Sequence, residues 1–331
     1  MSRSVEASSL ITLHNALERG DTRTLAQDAR AGLTRTPKEL PPKHLYDTRG
    51  AALFEQICEL PEYYPTRTER AILERVAGEL IAQTGACELV ELGSGSATKT
   101  RVLLDAMAAA GTLESYVAVD VTERAVRDSA AELTREYPGL RVHGLIGDFE
   151  RHLDHLPQAS GPRLLAFLGG TIGNFAPASR RRFLRTVCGL LGPADHLLLG
   201  TDLVKDRTTL EAAYDDAAGV TAEFNRNILH VLNRELGADF DLAGFQHVAL
   251  FDTENEWIEM RLRSLRDQRV ELPAIALSVE FEDGEELRTE ISAKFTRERV
   301  AAELTAGGLA LAAWHTDEND WFALSLARRA A

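Results

Sequence analysis

The chain has 331 residues, 44% hydrophobic and 27% charged, with 51 acidic against 37 basic side chains and a formal net charge of −14. That length supports one large domain or two, and a core that needs neither disulfides nor metal. The composition excludes a mainly disordered or coiled-coil chain, and so negative a surface repels nucleic-acid phosphates and anionic lipid. Three scattered cysteines, Cys58, Cys87 and Cys188, fit neither a disulfide framework nor a zinc ribbon, and point to a reducing compartment. The first twenty residues mix Glu6, His14, Glu18 and Arg19 among short apolar steps, with no apolar signal core. No apolar run approaches the ~20 residues that span a bilayer. The expectation is a cytoplasmic protein with no nucleic-acid or membrane partner; a monomer is compatible with the sequence.

Taken in chain order, Ser9 to Ala31 reads as a helix with apolar positions at Leu10, Leu13, Leu17, Leu25 and Ala29. The prolines at 37, 41 and 42 end it. A short helical run Ala51–Glu59 leads to Pro61-Glu62-Tyr63-Tyr64-Pro65, read as an ordered loop that either plugs the core or walls a pocket. From Thr68 helix and strand alternate: helix Thr68–Gln83, strand Glu88–Leu92, helix Thr100–Ala110, strand Tyr116–Val119, helix Glu123–Tyr137 and strand Arg141–Ile146. Strand Leu164–Leu168, helix Ala178–Leu191 and strand His196–Gly200 follow. This alternation predicts a parallel sheet. After Asp202 it stops. One long helix, Ala217–Leu236, precedes four antiparallel strands, Phe245–Phe251, Glu256–Arg263, Ala276–Phe281 and Glu286–Lys294, with a hairpin turn at Glu282-Asp283-Gly284-Glu285. Helix Arg297–Ala306 and a terminal hairpin, Leu309–His315 with Trp321–Ala327, close the chain. The fold class is α/β, a Rossmann-like sheet interrupted by an α+β insertion. Residues 68–203 and 295–331 form the core, and 1–67 with 204–294 form the second domain.

The loop Val90-Glu91-Leu92-Gly93-Ser94-Gly95-Ser96-Ala97-Thr98-Lys99-Thr100 has a strand before it and a helix after it. Ligands of open α/β sheets bind beyond such strand ends. The third glycine of the dinucleotide fingerprint is missing at Thr98, and so is the P-loop ending. Glu91 precedes the loop, where it can organise the turn or sit near a cation. Asp120 ends the next strand, where a carboxylate can accept both hydroxyls of a ribose. Asp148 ends the third, beside Phe149, placed for an adenine amino group and ring. Helix capping explains each aspartate singly. Together with the glycine loop they point to a nucleoside carrying positive charge, S-adenosylmethionine, rather than a pyrophosphate.

The sequence resembles the histidine-specific S-adenosylmethionine-dependent methyltransferases from about Ala29 to Arg328. The strings that carry the likeness are Leu40-Pro41-Pro42-Lys43, Leu60 to Glu69, Val90 to Gly95, Thr171-Ile172-Gly173-Asn174, Gly200 to Lys205 and Ala222 to Asn227. The resemblance implies a Rossmann-like methyltransferase sheet with an inserted substrate-binding domain. It implies methyl transfer from S-adenosylmethionine to the α-amine of L-histidine, three times, to hercynine at the first step of ergothioneine biosynthesis. It places the methyl donor on Gly93, Lys99, Asp120, Asp148 and Phe149, with Lys99 holding the methionyl carboxylate. It places the substrate on Tyr63, Gly169, Thr171, Asn174, Tyr214, Met260, Glu290 and Ser292. Asn174 and Tyr214 would take the carboxylate, Glu290 and Ser292 the imidazole, and Asn174 and Tyr46 the reacting amine. Another amino acid such as tryptophan, or a noncatalytic cofactor-binding protein, is the competing reading.

Other features read as structural. His152 and His155 lack a third metal ligand, so no metal is expected. Arg180-Arg181-Arg182 reads as a solvated helix face, and Trp314 and Trp321 as packing of the final hairpin.

Overall fold

The computed structural model describes residues 10–17, 24–94 and 99–330. The chain begins with β1 (Ile11–Asn15), α1 (Leu25–Leu33), β2 (Lys38–Glu39), α2 (Thr48–Glu59) and α3 (Tyr64–Thr84). Then come β3 (Glu88–Leu92), α4 (Thr100–Ala110), β4 (Ser115–Asp120), α5 (Glu123–Glu136), β5 (Arg141–Ile146) and β6 (Arg163–Phe167). α6 (Pro177–Leu190) and β7 (His196–Asp202) complete this run. The insertion carries α7 (Arg207–Ala212), α8 (Val220–Leu236), β8 (Phe245–Asp252), β9 (Trp257–Ser264), β10 (Gln268–Leu272), β11 (Leu277–Phe281) and β12 (Glu286–Ala293). α9 (Arg297–Ala306), β13 (Leu309–Thr316) and β14 (Phe322–Arg329) follow.

Eight strands form one sheet in the order β1-β5-β4-β3-β6-β7-β14-β13. Its first six strands are parallel, and β14 and β13 join antiparallel. β3 is buried along its whole length because the sheet has a core on both faces. Leu89 packs with Leu73, Leu80 and Leu103 on one side, and Val90 and Leu92 with Phe183 and Leu184 on the other. Each such leucine or valine contributes roughly 1.5–3 kcal/mol on burial. Strand order reverses between β3 and β6, the position where an open α/β sheet leaves a crevice.

A second sheet, β2-β12-β9-β8, is backed by α8 and by the segment around α1 and α2. Its core joins Leu33, Leu45, Phe224, Ile228, Leu262 and Leu287. Here the sequence-based expectations need correction. Ser9–Ala31 is not one helix. Ile11–Asn15 pairs in parallel with Val142–Ile146, and a helix starts only at Leu25, behind a Thr24–Gln27 capping box. The N-terminal 67 residues are therefore shared between the two sheets. α3 begins at Tyr64, with Pro65 in its first turn, so the Tyr63-Tyr64 loop is shorter than expected. α7 and β10 were not anticipated, and α8 starts at Val220 rather than Ala217. The turn at Glu282–Glu285 closes no hairpin, because β11 pairs with β10 while β12 pairs with β9. Arg180 is not solvated: it is buried, and its guanidinium forks onto Glu303 at 2.7 and 2.9 Å, tying α6 to α9.

At Gly50 the backbone of α2 closes on the preceding turn and on the Asn227 side chain of α8. A Cβ there would lie 1.7 Å from the Leu45 carbonyl oxygen and 2.9 Å from Asn227 Nδ2. Gly50→Ala should therefore cost about 1–3 kcal/mol or more, read as a lowered midpoint in urea unfolding.

Candidate active site

The residues expected to hold the methyl donor stand at or just beyond the C-terminal ends of β3, β4 and β5 and at the start of α4. Gly93 leaves β3 with φ +75°, a conformation that favours glycine, and the position of its absent Cβ is 3.8 Å from the Phe149 ring. Phe149 is held edge-on by Phe167 at 5.3 Å. Asp120 and Asp148 each follow the pattern of a turn: Oδ1 accepts from Thr122 N at 2.9 Å and from Glu150 N at 2.8 Å respectively. These strand-end carboxylates, a bare glycine turn and an aromatic face fit an adenosine. Gly95 to Thr98 lie outside the described residues.

Behind the loop, Glu91 accepts hydrogen bonds from Thr100 and, at 2.7 Å, from Tyr116. Burial pushes its pKa up to about 7 against those two bonds. Lys99 pairs with Glu69, a fully buried carboxylate that also accepts from Gly169 N at 2.8 and 2.9 Å. Glu69 thus joins the glycine loop to the turn after β6. It stood in the recognised string Leu60 to Glu69, yet no property of the sequence singled it out.

That turn carries Gly169, Thr171 and Asn174. Thr171 Oγ1 donates to Leu168 O at 3.0 Å, and Thr171–Asn174 closes as a 3-10 turn. Gly173 lets it press against β12: a Cβ would lie 2.9 Å from Ala293 O. A cavity of about 260 Å³ reaches Asn174 and Glu290 between Gly32, Leu40 and Pro41.

β12 supplies the opposite wall through a bulge. Arg288 is registered with Arg261 and Glu290 with Met260, so two steps on β12 match one on β9. Before the bulge the even-numbered side chains point away from the core, where Glu286 pairs with Arg261 and Arg263, and Arg288 with Glu39 and Glu259. After it, Glu290 and Ser292 turn to the face of Met260 and Ile258. Glu290 is buried, and its Oε2 has no hydrogen-bond partner among the described residues. Burial raises its pKa to about 7, opposed by the Lys294 ammonium.

Ser292 Oγ accepts from Tyr214 OH at 2.8 Å and from Lys294 Nζ at 2.9 Å. Lys294 is fully buried and also reaches Tyr214 OH at 3.0 Å and Asp202 Oδ2 at 2.8 Å. Asp202 receives Lys205 at 2.6 Å and the Tyr64 hydroxyl at 2.8 and 2.9 Å. Lys294 and Asp202 are functional candidates that sequence reasoning missed. A lysine flanked by Ala293 and Phe295, just past the end of β12, was the available signal.

An aromatic wall completes the cluster. Tyr63 meets Tyr214 edge-on at 6.1 Å, and Tyr46 meets Phe224 at 5.2 Å and Phe54 at 5.5 Å. Asn227 holds the backbone around Tyr46, donating to Leu45 O at 3.1 Å and Asp47 Oδ1 at 2.7 Å. Tyr46 keeps 38% of its surface open, yet the protein packed around its phenol, and then the Glu290 carboxylate, push its pKa well above the usual value. The phenol therefore stays protonated at neutral pH.

Residues 25–329 match the histidine-specific, S-adenosylmethionine-dependent methyltransferases. The chain belongs to that family. It is 54% identical over 305 residues to the histidine N-alpha-methyltransferase of Mycolicibacterium smegmatis, covering 92% of this chain and 95% of the relative. Its identity to the histidine N-alpha-methyltransferase of Mycobacterium tuberculosis is 51% over 305 residues, with the same coverage. Ergothioneine biosynthesis protein 1 of Neurospora crassa is 35% identical over 206 residues, 61% of this chain and 23% of that protein. S-adenosylmethionine is the methyl donor of this enzyme. Among the described residues no helix is long and apolar enough to cross a membrane.

The buried Glu290 of this methyltransferase makes a stability prediction. Its folded pKa, about 7, lies above the ordinary glutamate value of 4.5. Between those values the native state holds a proton that the unfolded chain has released, so stability falls as pH rises through that window. Glu290→Gln should be neutral near pH 4.5 and stabilising by on the order of 3 kcal/mol at pH 8. Thermal unfolding of both proteins at the two pH values checks this; an equal gain at both would remove the titration from the explanation.

Proposed function

We propose that this methyltransferase trimethylates the α-amine of L-histidine to hercynine, at the first step of ergothioneine biosynthesis. The observation that carries the reading is the pairing of an unpartnered, buried Glu290 oxygen with Ser292 on one strand face, opposite an aromatic wall. A flat ring with a polar edge fits that pocket, and an apolar ring would leave the carboxylate without a partner. The names of the Mycolicibacterium and Mycobacterium relatives support histidine, and that of the Neurospora relative supports the pathway. The division of labour is a substrate-binding domain, built from the N-terminal segment and the insertion, facing the methyltransferase sheet.

S-adenosylmethionine, held by Gly93, Lys99, Asp120, Asp148 and Phe149, supplies a methyl group activated by its sulfonium. The chain's own work is positioning. Glu290 and Ser292 hold the imidazole, with Met260 packed beside them, and Asn174 holds the carboxylate; the Tyr214 hydroxyl, which donates to Ser292 Oγ at 2.8 Å, acts on the imidazole end instead. Fixed at both ends, the substrate presents its nitrogen at the turn of Gly169, Thr171 and Asn174, beside Tyr46 and Tyr63. Removing rotational and translational freedom in this way supplies much of the rate. Asn174 and Thr171 cannot take up a proton usefully, and Tyr46 is too weak an acid to be a phenolate base near neutrality. The amine therefore reacts from its neutral form. The aromatic faces of Tyr46 and Tyr63 tolerate the cation that grows as methyl groups accumulate.

The decisive experiment incubates the protein with methyl donor and all twenty amino acids, and identifies products by mass spectrometry. Trimethylated histidine as the dominant product is expected; a different methylated amino acid overturns the assignment. Glu290→Ala should lower kcat/KM for histidine by about tenfold more than for an apolar aromatic amino acid, because only histidine uses the acceptor. Proportional losses would make the role of Glu290 general rather than selective.

A second outcome concerns the proton. An amino acid with an amine pKa of about 8 or above is mostly ammonium at pH 7, so single-turnover methylation should speed up from pH 7 to 9. Tyr46→Phe should slow that step without abolishing it. A flat profile, or complete loss of activity with normal histidine binding, would reveal a true general base.

A further inference from the structure

Lys294 has three ammonium protons and three partners: Asp202 Oδ2 at 2.8 Å, Ser292 Oγ at 2.9 Å and Tyr214 OH at 3.0 Å. The Tyr214 hydroxyl in turn donates to Ser292 Oγ at 2.8 Å. A serine hydroxyl has two acceptor lone pairs and one proton. Both lone pairs of Ser292 are filled, by Lys294 and by Tyr214, so only its proton is left to offer. Two residues back on the same strand face, Glu290 Oε2 is buried without a partner, and an ionised carboxylate can only accept. The pocket thus presents one donor beside one acceptor. A neutral imidazole carries one N–H and one bare nitrogen and matches both. An imidazolium carries two N–H groups, and one of them would face the Ser292 proton.

We infer that Lys294 is a positioning residue that fixes Ser292 as a hydrogen-bond donor, so that the pocket takes the neutral imidazole of its substrate and rejects the imidazolium. This inference rests on the proposal that histidine's side chain occupies the pocket. Lys294 acts through Ser292 and Tyr214, and Asp202 keeps its charge in place.

Several titratable groups face this cluster. Glu290 comes from β12, Asp202 and Lys205 from the end of β7 and the turn after it, and Tyr64 from α3. Tyr46 precedes α2, Tyr63 precedes α3, and Tyr214 follows α7. Burial pushes all four tyrosines above their usual value, so they stay neutral in the range from weakly acid to neutral. Lys294 is held above and Asp202 below the usual value by each other, against the effect of burial, so both stay charged. Glu290 titrates inside the range, at about 7, and acts on any ring in the pocket. A comparison of two rings that differ only in basicity removes its contribution.

The test titrates the full-length protein, saturated with S-adenosylhomocysteine, with L-histidine and with 2-fluoro-L-histidine, whose ring takes up no proton in this range. Calorimetry at pH 7.5 and 5.5 reads both affinities. With a ring pKa of ~6.5, the neutral fraction of histidine falls about tenfold across this step, so histidine should lose about tenfold more affinity than its fluorinated analogue. Lys294→Met and Tyr214→Phe each free a lone pair on Ser292, and each should shrink that gap to under about threefold; S-adenosylhomocysteine affinity reports whether each variant is folded. Equal losses for the two ligands in the unmodified protein, or a gain for histidine at pH 5.5, would show that Ser292 accepts and that the inference is wrong. A gap that survives in the folded variants removes Lys294 and Tyr214 from the role. Failure of histidine to bind even at pH 7.5 refutes the substrate proposal instead.

Discussion

Asp202 stands where the chain leaves the large sheet for the insertion, and Lys294 stands one residue before it returns. Their ion pair, 2.8 Å long and buried, closes the base of the insertion. The backbone repeats the closure: Phe295 N donates to Asp202 O at 2.9 Å, Val204 N to Phe295 O at 3.0 Å, and Leu203 bridges Phe295. Breaking one half of a buried pair typically costs about 3–5 kcal/mol, because the other charge is stranded. Here the stranded charge would sit at the junction of both domains. Lys205 and Tyr64 also converge on Asp202, so α3, β7 and β12 share one electrostatic knot. The same lysine then reaches into the pocket through Ser292 and Tyr214. The geometry of the pocket and the attachment of the insertion are therefore one constraint.

The bulge on β12 is the second element on which the pocket depends. Without the extra residue, Glu290 and Ser292 would lie on the face of Glu286 and Arg288, among partly exposed ion pairs. Such pairs contribute little each. Their value is in register: opposite charges on the outer face of β9 and β12 and like hydrophobic pairs on the inner face, Leu262 with Leu287, oppose a slip of the strands. The bulge is anchored from below by Thr289, whose hydroxyl donates to Met260 O at 3.0 Å and contacts Asn225 on α8. Asn225 in turn donates to Arg261 O at 3.0 Å. A helix of the insertion thereby locks the one irregular step that aims the carboxylate inward.

Much of the large sheet was legible because its strands are short apolar runs separated by amphipathic helices, as Glu88–Leu92 and Thr100–Ala110 are. The glycine loop and the aspartates at the ends of β4 and β5 announced themselves by position. β1 did not: Leu10, Leu13 and Leu17 satisfy a helical period, and only pairing with β5, about 130 residues onward, selects the strand. β10 was hidden by Arg269 and Glu271, which alternate with Val270 and Leu272 on a two-stranded ribbon half open to water. Residues such as Glu290, Ser292 and Tyr214 carried no signal of their own and were found only through the resemblance of the surrounding strings. Lys294 lies outside those strings and Asp202 stands inside one, Gly200 to Lys205, without a role, since a role that consists of holding other side chains is invisible until the contacts are known.

Two buried carboxylates are both raised to about 7, and their surroundings give them opposite meanings. Glu91 is satisfied by Thr100 and Tyr116, and its bonds tie the start of α4 to β4 behind the glycine loop. Its burial is explained by what it holds. Glu290 has equal burial and an open Oε2. A buried polar atom without a partner costs about 1–3 kcal/mol, more when charged. The lysine that could have neutralised Glu290 is turned instead toward Asp202, Ser292 and Tyr214. No described residue supplies that partner, and in the proposed function the substrate supplies it as a ring N–H. An occupant that supplies an N–H recovers the desolvation that folding imposed on Glu290, whereas an apolar occupant of equal size leaves it in place. In the proposed function the pocket thus converts a local defect in the stability of the protein into preference for one kind of ring.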